Sequence, residues 1–185
     1  MIYFTSDTHF NHDKDFIYMP RGFSSIKEAD DTIINNWCSL VSNDDDIYVL
    51  GDFFLGTDFY YIDKVLHKLT GKIHLIIGNH DTDAKLKFYK KYSNIVEIYY
   101  ATQITYKKQI FYLSHYPTIT ADTYSNKKHI LYNLFGHTHS KNKFYSPDSH
   151  ALNPYLYNVA LDAHDNRIIS IDTILTDIQN ELKKL

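Results

Sequence analysis

The chain has 185 residues, 44% of them hydrophobic. That is close to the ~150 residues of a typical domain and enough to bury roughly 70% of the surface the unfolded chain exposes, so the expectation is one domain over residues 1–185 with no cap domain. A net charge of −3 with histidine neutral leaves no electrostatic footprint for a nucleic-acid backbone, so no duplex partner is expected, and the single cysteine, Cys38, excludes a disulfide framework. No apolar run approaches the ~20 residues that span a bilayer, and the N-terminus lacks a basic start, so a soluble, unprocessed, cytoplasmic chain without a membrane partner is expected.

Ile2 to Thr5 opens the chain as a short β-rich run. Ser25 and Glu28 then form a capping box ahead of Ile26, Ala29, Ile33, Ile34, Trp37, Leu40 and Val41, whose three-four spacing predicts a helix. Cys38, beside Trp37 and without a matched base, reads as a small core residue. Strands follow at Ile47 to Leu50 and Ile73 to Ile77, with weaker helical patterns over Phe59 to Leu69 and Ala84 to Tyr92. Further strands are expected over Ile95 to Tyr100, Ile110 to Ser114, Ile130 to Phe135, Tyr155 to Ala160 and Ile168 to Ile171, and a last helix over Thr173 to Leu182. Strand-helix alternation followed by strand upon strand implies an α/β class with a substantial antiparallel part.

Polar residues fall at the strand exits. Asp7-Thr8-His9 follows the first strand, and Gly51-Asp52 the second; Gly78-Asn79-His80-Asp81 follows the third, Ser114-His115 a later one, and Gly136-His137-Thr138-His139 the Ile130 to Phe135 run. In extended backbone, positions i and i+2 point the same way, so Asp7 with His9, and His137 with His139, can converge on one point. Taken singly, each pattern also reads as a helix cap, a tight turn or a core histidine. Five mixed oxygen and nitrogen sets at strand exits, where open α/β sheets gather their ligands, are poorly explained by turn chemistry alone.

In kind and order these five motifs resemble the signature of the calcineurin-like metallophosphoesterases, over residues 7 to 139. The runs Phe10-Asn11-His12, Arg21-Gly22-Phe23 and Ser114-His115-Tyr116-Pro117 resemble a subgroup of small bacterial and phage members. The resemblance implies a mixed β-sandwich flanked by helices, four layers in the order α/β/β/α, with a dinuclear metal site at one edge. It assigns Asp7, His9, Asp52 and His139 to one metal, and Asp52, Asn79, His115 and His137 to the other. It sets His80 over the substrate, protonating the leaving oxygen or stabilising the phosphoryl group, with Asp81 orienting it. His12 and Arg21 are candidate phosphate contacts, since an arginine fork suits phosphate oxygens.

Carboxylate, amide and imidazole ligands without thiolate suit two divalent ions drawn from Mn, Fe, Zn, Co or Ni. The implied activity is hydrolysis of a phosphodiester or phosphomonoester, the substrate a small phosphoester such as a nucleotide derivative. The alternative is a non-catalytic metal-binding scaffold of the same fold; such members are expected to have lost ligands or the counterpart of His80, and all eight positions are present here. Phe53-Phe54-Leu55-Gly56 after Gly51-Asp52 departs from the acidic-arginine-glycine run of the protein phosphatases, which argues against that activity. The polar stretches 118–128 and 140–153 are expected to form the rim that selects substrate. His67, His74, His129, His150 and His164 lie outside any motif and read as structural or surface residues.

Overall fold

The computed structural model describes residues 1–118, 131–145 and 153–184. In chain order these form β1 (Ile2–Thr5), α1 (Asp15–Tyr18), α2 (Ile26–Leu40), β2 (Asp46–Leu50), α3 (Phe59–Leu66), β3 (Lys72–Ile76), α4 (Asp83–Tyr89), β4 (Ile95–Tyr99), β5 (Ala101–Tyr106), β6 (Gln109–Ser114), β7 (Leu131–Phe135), β8 (Phe144–Tyr145), β9 (Asn153–Asn158), β10 (Ile169–Ser170) and α5 (Ile171–Leu182). A single 3-10 turn, Leu161–Ala163, follows β9.

Helix α2 forms where the stripe demands it: Ala29, Ile33, Ile34 and Trp37 are buried on one face. The Ser25 hydroxyl accepts the Glu28 N–H at 3.2 Å, whereas the Glu28 carboxylate reaches back to the N–H and hydroxyl of Ser24, one residue ahead of the cap. Trp37 donates its indole N–H to the Thr70 carbonyl at 2.8 Å. Cys38 corrects the expectation of a core residue: one step of about 100° round the helix carries it off the stripe, and it is exposed, with Sγ against the Lys68 carbonyl.

Two five-stranded sheets stack. In the first, β1, β2, β3 and β4 are parallel in the order β10-β1-β2-β3-β4, with β10 antiparallel at the edge. Ile47, Val49, Ile73 and Leu75 face α2, α3 and α4 in a core that also holds Phe10, Trp37, Phe53 and Phe54. Phe4, Leu50 and Ile76 face the other way and meet Phe111, Leu113, Leu134 and Tyr157 of the second sheet, order β5-β6-β7-β9-β8. Each side chain of this size contributes about 1.5–3 kcal/mol when fully buried. The stripe Ile171, Ile174, Leu175 and Ile178 of α5 joins that inter-sheet core. The mixed sandwich flanked by helices is thus as expected.

Three elements escaped the sequence reading, namely α1, β5 and β8. No helix among the described residues is long and apolar enough to cross a membrane. Of the rim stretches expected at 118–128 and 140–153, only Thr118, residues 140–145 and Asn153 fall within the described residues.

The stacking matters for function because β1, β2 and β3 of one sheet and β6 and β7 of the other end at a common edge. A bridge pairs Ser6, just past β1, with Ala160, just past β9, and the Leu161 N–H reaches the Ser6 carbonyl at 3.3 Å.

Candidate metal centre

The loops leaving β1 and β2 run side by side: Asp7 N–H donates to the Gly51 carbonyl at 3.1 Å, His9 N–H to Asp52 at 3.0 Å and Phe10 N–H to Phe53 at 3.1 Å. Along these loops and the one after β7, side chains are aimed by unusual backbone. Asp7, His9, Asp52, His137 and His139 have φ of 54°, 48°, 53°, 68° and 48°. The left-handed region costs a residue with Cβ roughly 1–2 kcal/mol. Strain of this kind collects at functional sites, where the surrounding structure enforces it.

Two motif glycines are there for space. A Cβ on Gly136 would lie 1.9 Å from Ser6 Oγ and 2.3 Å from Asp7 Oδ2; one on Gly78 would lie 2.3 Å from Asp52 Oδ1 and 2.4 Å from its backbone N. Only bare backbone lets the β7 exit close on the β1 exit, and the β3 exit on the β2 exit.

This packing assembles two groups, Asp7 with His9 and His139, and Asp52 with His115 and His137; within each, the potential ligand atoms lie within 4.8 Å of one another. In the first, Asp7 Oδ1 is 3.8 Å from both His9 Nε2 and His139 Nε2, and the two imidazole nitrogens are 3.2 Å apart. In the second, His115 Nε2 lies 3.6 Å from Asp52 Oδ2, and Asn79 Oδ1 lies 2.9 Å from His115 Nε2 and 3.1 Å from His137 Nδ1. Asp52 Oδ2 is also 3.7 Å from His9 Nε2, so this carboxylate stands between the groups.

The donor chemistry fits cations. His115 Nδ1 is 2.8 Å from the Leu50 carbonyl and His139 Nδ1 is 3.1 Å from Asp162 Oδ2. Both partners only accept, so both rings carry their proton on Nδ1 and turn an Nε2 lone pair inward. There the lone pairs meet carboxylate and amide oxygens, acceptors facing acceptors. Asp7 Oδ1, fully buried, has no hydrogen-bond partner among the described residues. A buried acceptor without a partner costs about 1–3 kcal/mol, and a positive ion at each focus would remove that cost.

Electrostatics follow burial. Desolvation raises the Asp7 carboxyl above its ordinary range, against the pull of His115 and His139. Desolvation also lowers the His9, His12 and His137 imidazoles, helped by neighbouring cations and imidazoles. His139 moves the other way, raised first by its hydrogen bond to Asp162.

The structure brings together Asp7, His9, Asp52, Asn79, His115, His137 and His139. His80 lies beside them with its side chain 46% exposed and Nε2 4.0 Å from Asp52 Oδ2. His12 is buried, tilted against His9 and edge-on to Phe16, with Nδ1 lacking a partner among the described residues.

Two expected roles change. Asp81, expected to orient His80, instead accepts the N–H groups of Gly78 at 2.9 Å, Asp52 at 2.9 Å and Phe53 at 3.3 Å; its carboxylate ties the β2 and β3 exits together, and burial pushes it up to about 6. Arg21, expected to grip phosphate, is turned into the protein. Its side chain is 3% exposed, Nε and Nη2 donate to Asp162 Oδ1 and Oδ2 at 3.1 and 2.7 Å, and Nη2 also donates to the Asp7 carbonyl at 2.7 Å. A fork held on two oxygens and a carbonyl has little left for a substrate phosphate.

The sequence reading missed Lys85 and Asp162. Lys85 is buried in α4, where its ammonium donates to the Phe54 and His80 carbonyls and burial lowers its pKa. Nothing in its spacing marks it out from the other helical lysines. Asp162 follows the exit of β9 at the same sheet edge, so the strand-exit rule that found the other acids would have found it. Of the histidines outside motifs, His74 lies between the carboxylates of Asp46 and Glu97 at 2.8 and 2.9 Å, and His164 Nε2 is 2.8 Å from the Asn158 carbonyl. His129 and His150 are outside the described residues.

An uncharacterized protein of Methanocaldococcus jannaschii is 42% identical to this chain over 81 residues, 43% of this chain and 46% of that protein. The chain spans less than half the length of the curated relatives it matches. A solved protein of unknown function from Aquifex aeolicus shares the fold with a TM-score of 0.69 at 24% identity, covering 95% of this chain and 98% of that one. An archaeal phosphodiesterase of known structure gives 0.51 at 16% identity, covering 93% and 94%. The family model of the calcineurin-like phosphoesterases matches residues 1–162, from the first strand to Asp162, and so takes in every residue of both groups. On that match, the chain belongs to the calcineurin-like phosphoesterase family.

Proposed function

We propose that the chain is a metal-dependent phosphoesterase that hydrolyses a phosphodiester or phosphomonoester at a site for two divalent ions. The observation that carries this reading is the position of Asp52 Oδ2, 3.7 Å from His9 Nε2 and 3.6 Å from His115 Nε2, shared between two converging ligand groups. Asp7, His9 and His139 would hold one ion, Asn79, His115 and His137 the other, and Asp52 both. When bound, such a pair neutralises phosphoryl oxygens and makes hydroxide available near neutral pH. The mixed oxygen and imidazole shell suits Mn, Fe, Zn, Co or Ni.

The chain's own residues supply the rest. His80, held by its backbone N–H on Asp52 Oδ1 at 2.8 Å, presents a half-exposed ring able to give a proton to a leaving oxygen. Lys85, beneath, fixes the His80 carbonyl. His12, buried against His9, remains the candidate phosphate contact. This complete set, with a ring that no ligand group requires, favours hydrolysis over a scaffold role.

Manganese-loaded protein is expected to cleave bis-p-nitrophenyl phosphate or p-nitrophenyl phosphate and to lose that activity on chelation. Inactivity of the pure, loaded protein on both esters would count against the proposal.

Imidazoles bind metal only when neutral. Because His139 has its pKa raised above the ordinary 6.5, it takes up a proton before the imidazoles whose pKa values burial depresses. As pH falls from about 8 to 5, bound manganese measured by equilibrium dialysis should therefore decline, the ion at the His139 group leaving first. Metal content constant across that range would contradict the ligand assignment.

A further inference from the structure

The first ligand group is held from behind by two residues that come from distant parts of the chain. Asp162, in the turn after β9, has a side chain only 10% exposed, and both of its oxygens are engaged. Oδ1 accepts from Arg21 Nε at 3.1 Å; Oδ2 accepts from Arg21 Nη2 at 2.7 Å and lies 3.1 Å from His139 Nδ1. The same guanidinium continues to the backbone of the β1 exit, with Nη2 on the Asp7 carbonyl at 2.7 Å and Nη1 at 3.5 Å from that of Thr8. Arg21 is itself anchored, its carbonyl accepting from Asn166 Nδ2 at 3.0 Å.

We propose that Asp162 is a positioning residue. Its carboxylate fixes the His139 proton on Nδ1, so that Nε2 faces Asp7 and His9, and Arg21 locks that carboxylate to the strand exit from which Asp7 and His9 project. The three ligands of the first group, 130 residues apart in sequence between His9 and His139, thereby share one rigid support. The chemistry explains why an arginine stands at 21 in a chain that otherwise uses lysine almost throughout. A planar fork can hold two carboxylate oxygens and a backbone carbonyl at once, whereas an ammonium is a point charge without that geometry. A carboxylate behind a ligating imidazole sets its tautomer and raises its basicity; losing such a partner costs about 10–100-fold in metal affinity. The inference rests on the reading that this group holds a divalent ion.

The test needs no turnover. In metal-free protein with nitrogen-15-labelled histidine, at alkaline pH where the rings are neutral, long-range proton-nitrogen correlation reports which nitrogen of His139 is protonated; the signal is assigned by its loss in His139→Gln. The expected result is a proton on Nδ1 in the wild type and a mixed tautomer in Asp162→Asn. Cobalt(II) titration followed by visible absorption should show one of two sites weakened about 10–100-fold in Asp162→Asn, the other unchanged. Arg21→Lys, which keeps the carboxylate and loses the fork, should retain the Nδ1 proton and weaken the same site less. A wild-type His139 protonated on Nε2 overturns the inference whether or not any variant folds, as does an Asp162→Asn protein that keeps both tautomer and affinity. A wild type that binds no cobalt would sink the metal reading itself, while the tautomer would still be measurable.

Discussion

Replacing His80 by alanine is expected to lower kcat on an alkyl phosphodiester by about 10²- to 10⁴-fold, roughly 3–5 kcal/mol of transition-state stabilisation, while both metal equivalents stay bound. The two halves of this expectation come from different atoms of the same residue. The hydrogen bonds that tie residue 80 to the ligand shell are made by backbone, its N–H on Asp52 Oδ1 and its carbonyl under Lys85 Nζ, while the ring adds only an edge-on contact with His9 at 5.5 Å. Alanine keeps both. The ring is 46% exposed, and its nearest approach to Asp52 Oδ2 is 4.0 Å. Removing it should therefore leave Asp52 in place and take away only what the ring does toward substrate. A leaving group stable as an anion separates the roles of that ring. If His80 protonates the departing oxygen, His80→Ala should lose far less on a p-nitrophenyl ester, which needs no proton, than on an alkyl ester. An equal loss on both would assign the ring to charge stabilisation at phosphorus. Full activity with metal bound would remove His80 from catalysis, and loss of metal along with activity would make it a ligand.

The site was legible in the sequence for a physical reason. A strand that must be buried is apolar along its length, so a carboxylate, amide or imidazole just past its end stands out, and the glycines beside them mark where one exit closes on another. Asp7, Asp52, Asn79 and His137 each follow this rule. What was not legible depends on distance or on weak local signal. Arg21 and Asp162 meet across 141 residues, and no spacing in the chain announces the pair. Asp81 looked like a partner for His80 because it adjoins it, but its carboxylate lies under the turn and collects three N–H groups from two loops. Strand β5 was missed because its hairpin to β6 turns on Lys107 and Lys108, at φ 47° and 67°, where such a turn ordinarily announces itself with Asn-Gly or Asp-Gly. Strand β8 and helix α1, of two and four residues, are too short for any periodicity to register. Cys38 was misplaced by taking adjacency to Trp37 for a shared face.

A second large effect is expected at Gly136, and Gly56 provides its control. Alanine at Gly56 meets nothing within 4 Å but inherits a φ of 71°. Its cost is the left-handed penalty alone, roughly 1–2 kcal/mol. Gly136 is the converse, a steric case in which the new methyl group would sit 1.9 Å from Ser6 Oγ and 2.3 Å from Asp7 Oδ2. Neither atom can step aside cheaply. Ser6 Oγ is buried and donates to the Leu50 carbonyl at 2.7 Å, while Asp7 Oδ2 accepts the His137 N–H at 2.8 Å. Relief therefore means parting the β7 exit from the β1 exit, breaking the contact that holds His137 and His139 against Asp7. Overpacking of this kind costs about 3 kcal/mol, which for a chain of this size lowers Tm by roughly 6–12 °C. Metal should be lost from the first group even at temperatures where the variant is folded, because that group depends on the two exits meeting. Thermal unfolding of chelated protein and manganese binding at low temperature separate the two consequences. A Gly136→Ala protein no less stable than Gly56→Ala, and still binding metal, would mean that the sheets can shift at this edge without disturbing the ligands. The close approach of the two exits would then be incidental to the site instead of the condition for assembling it.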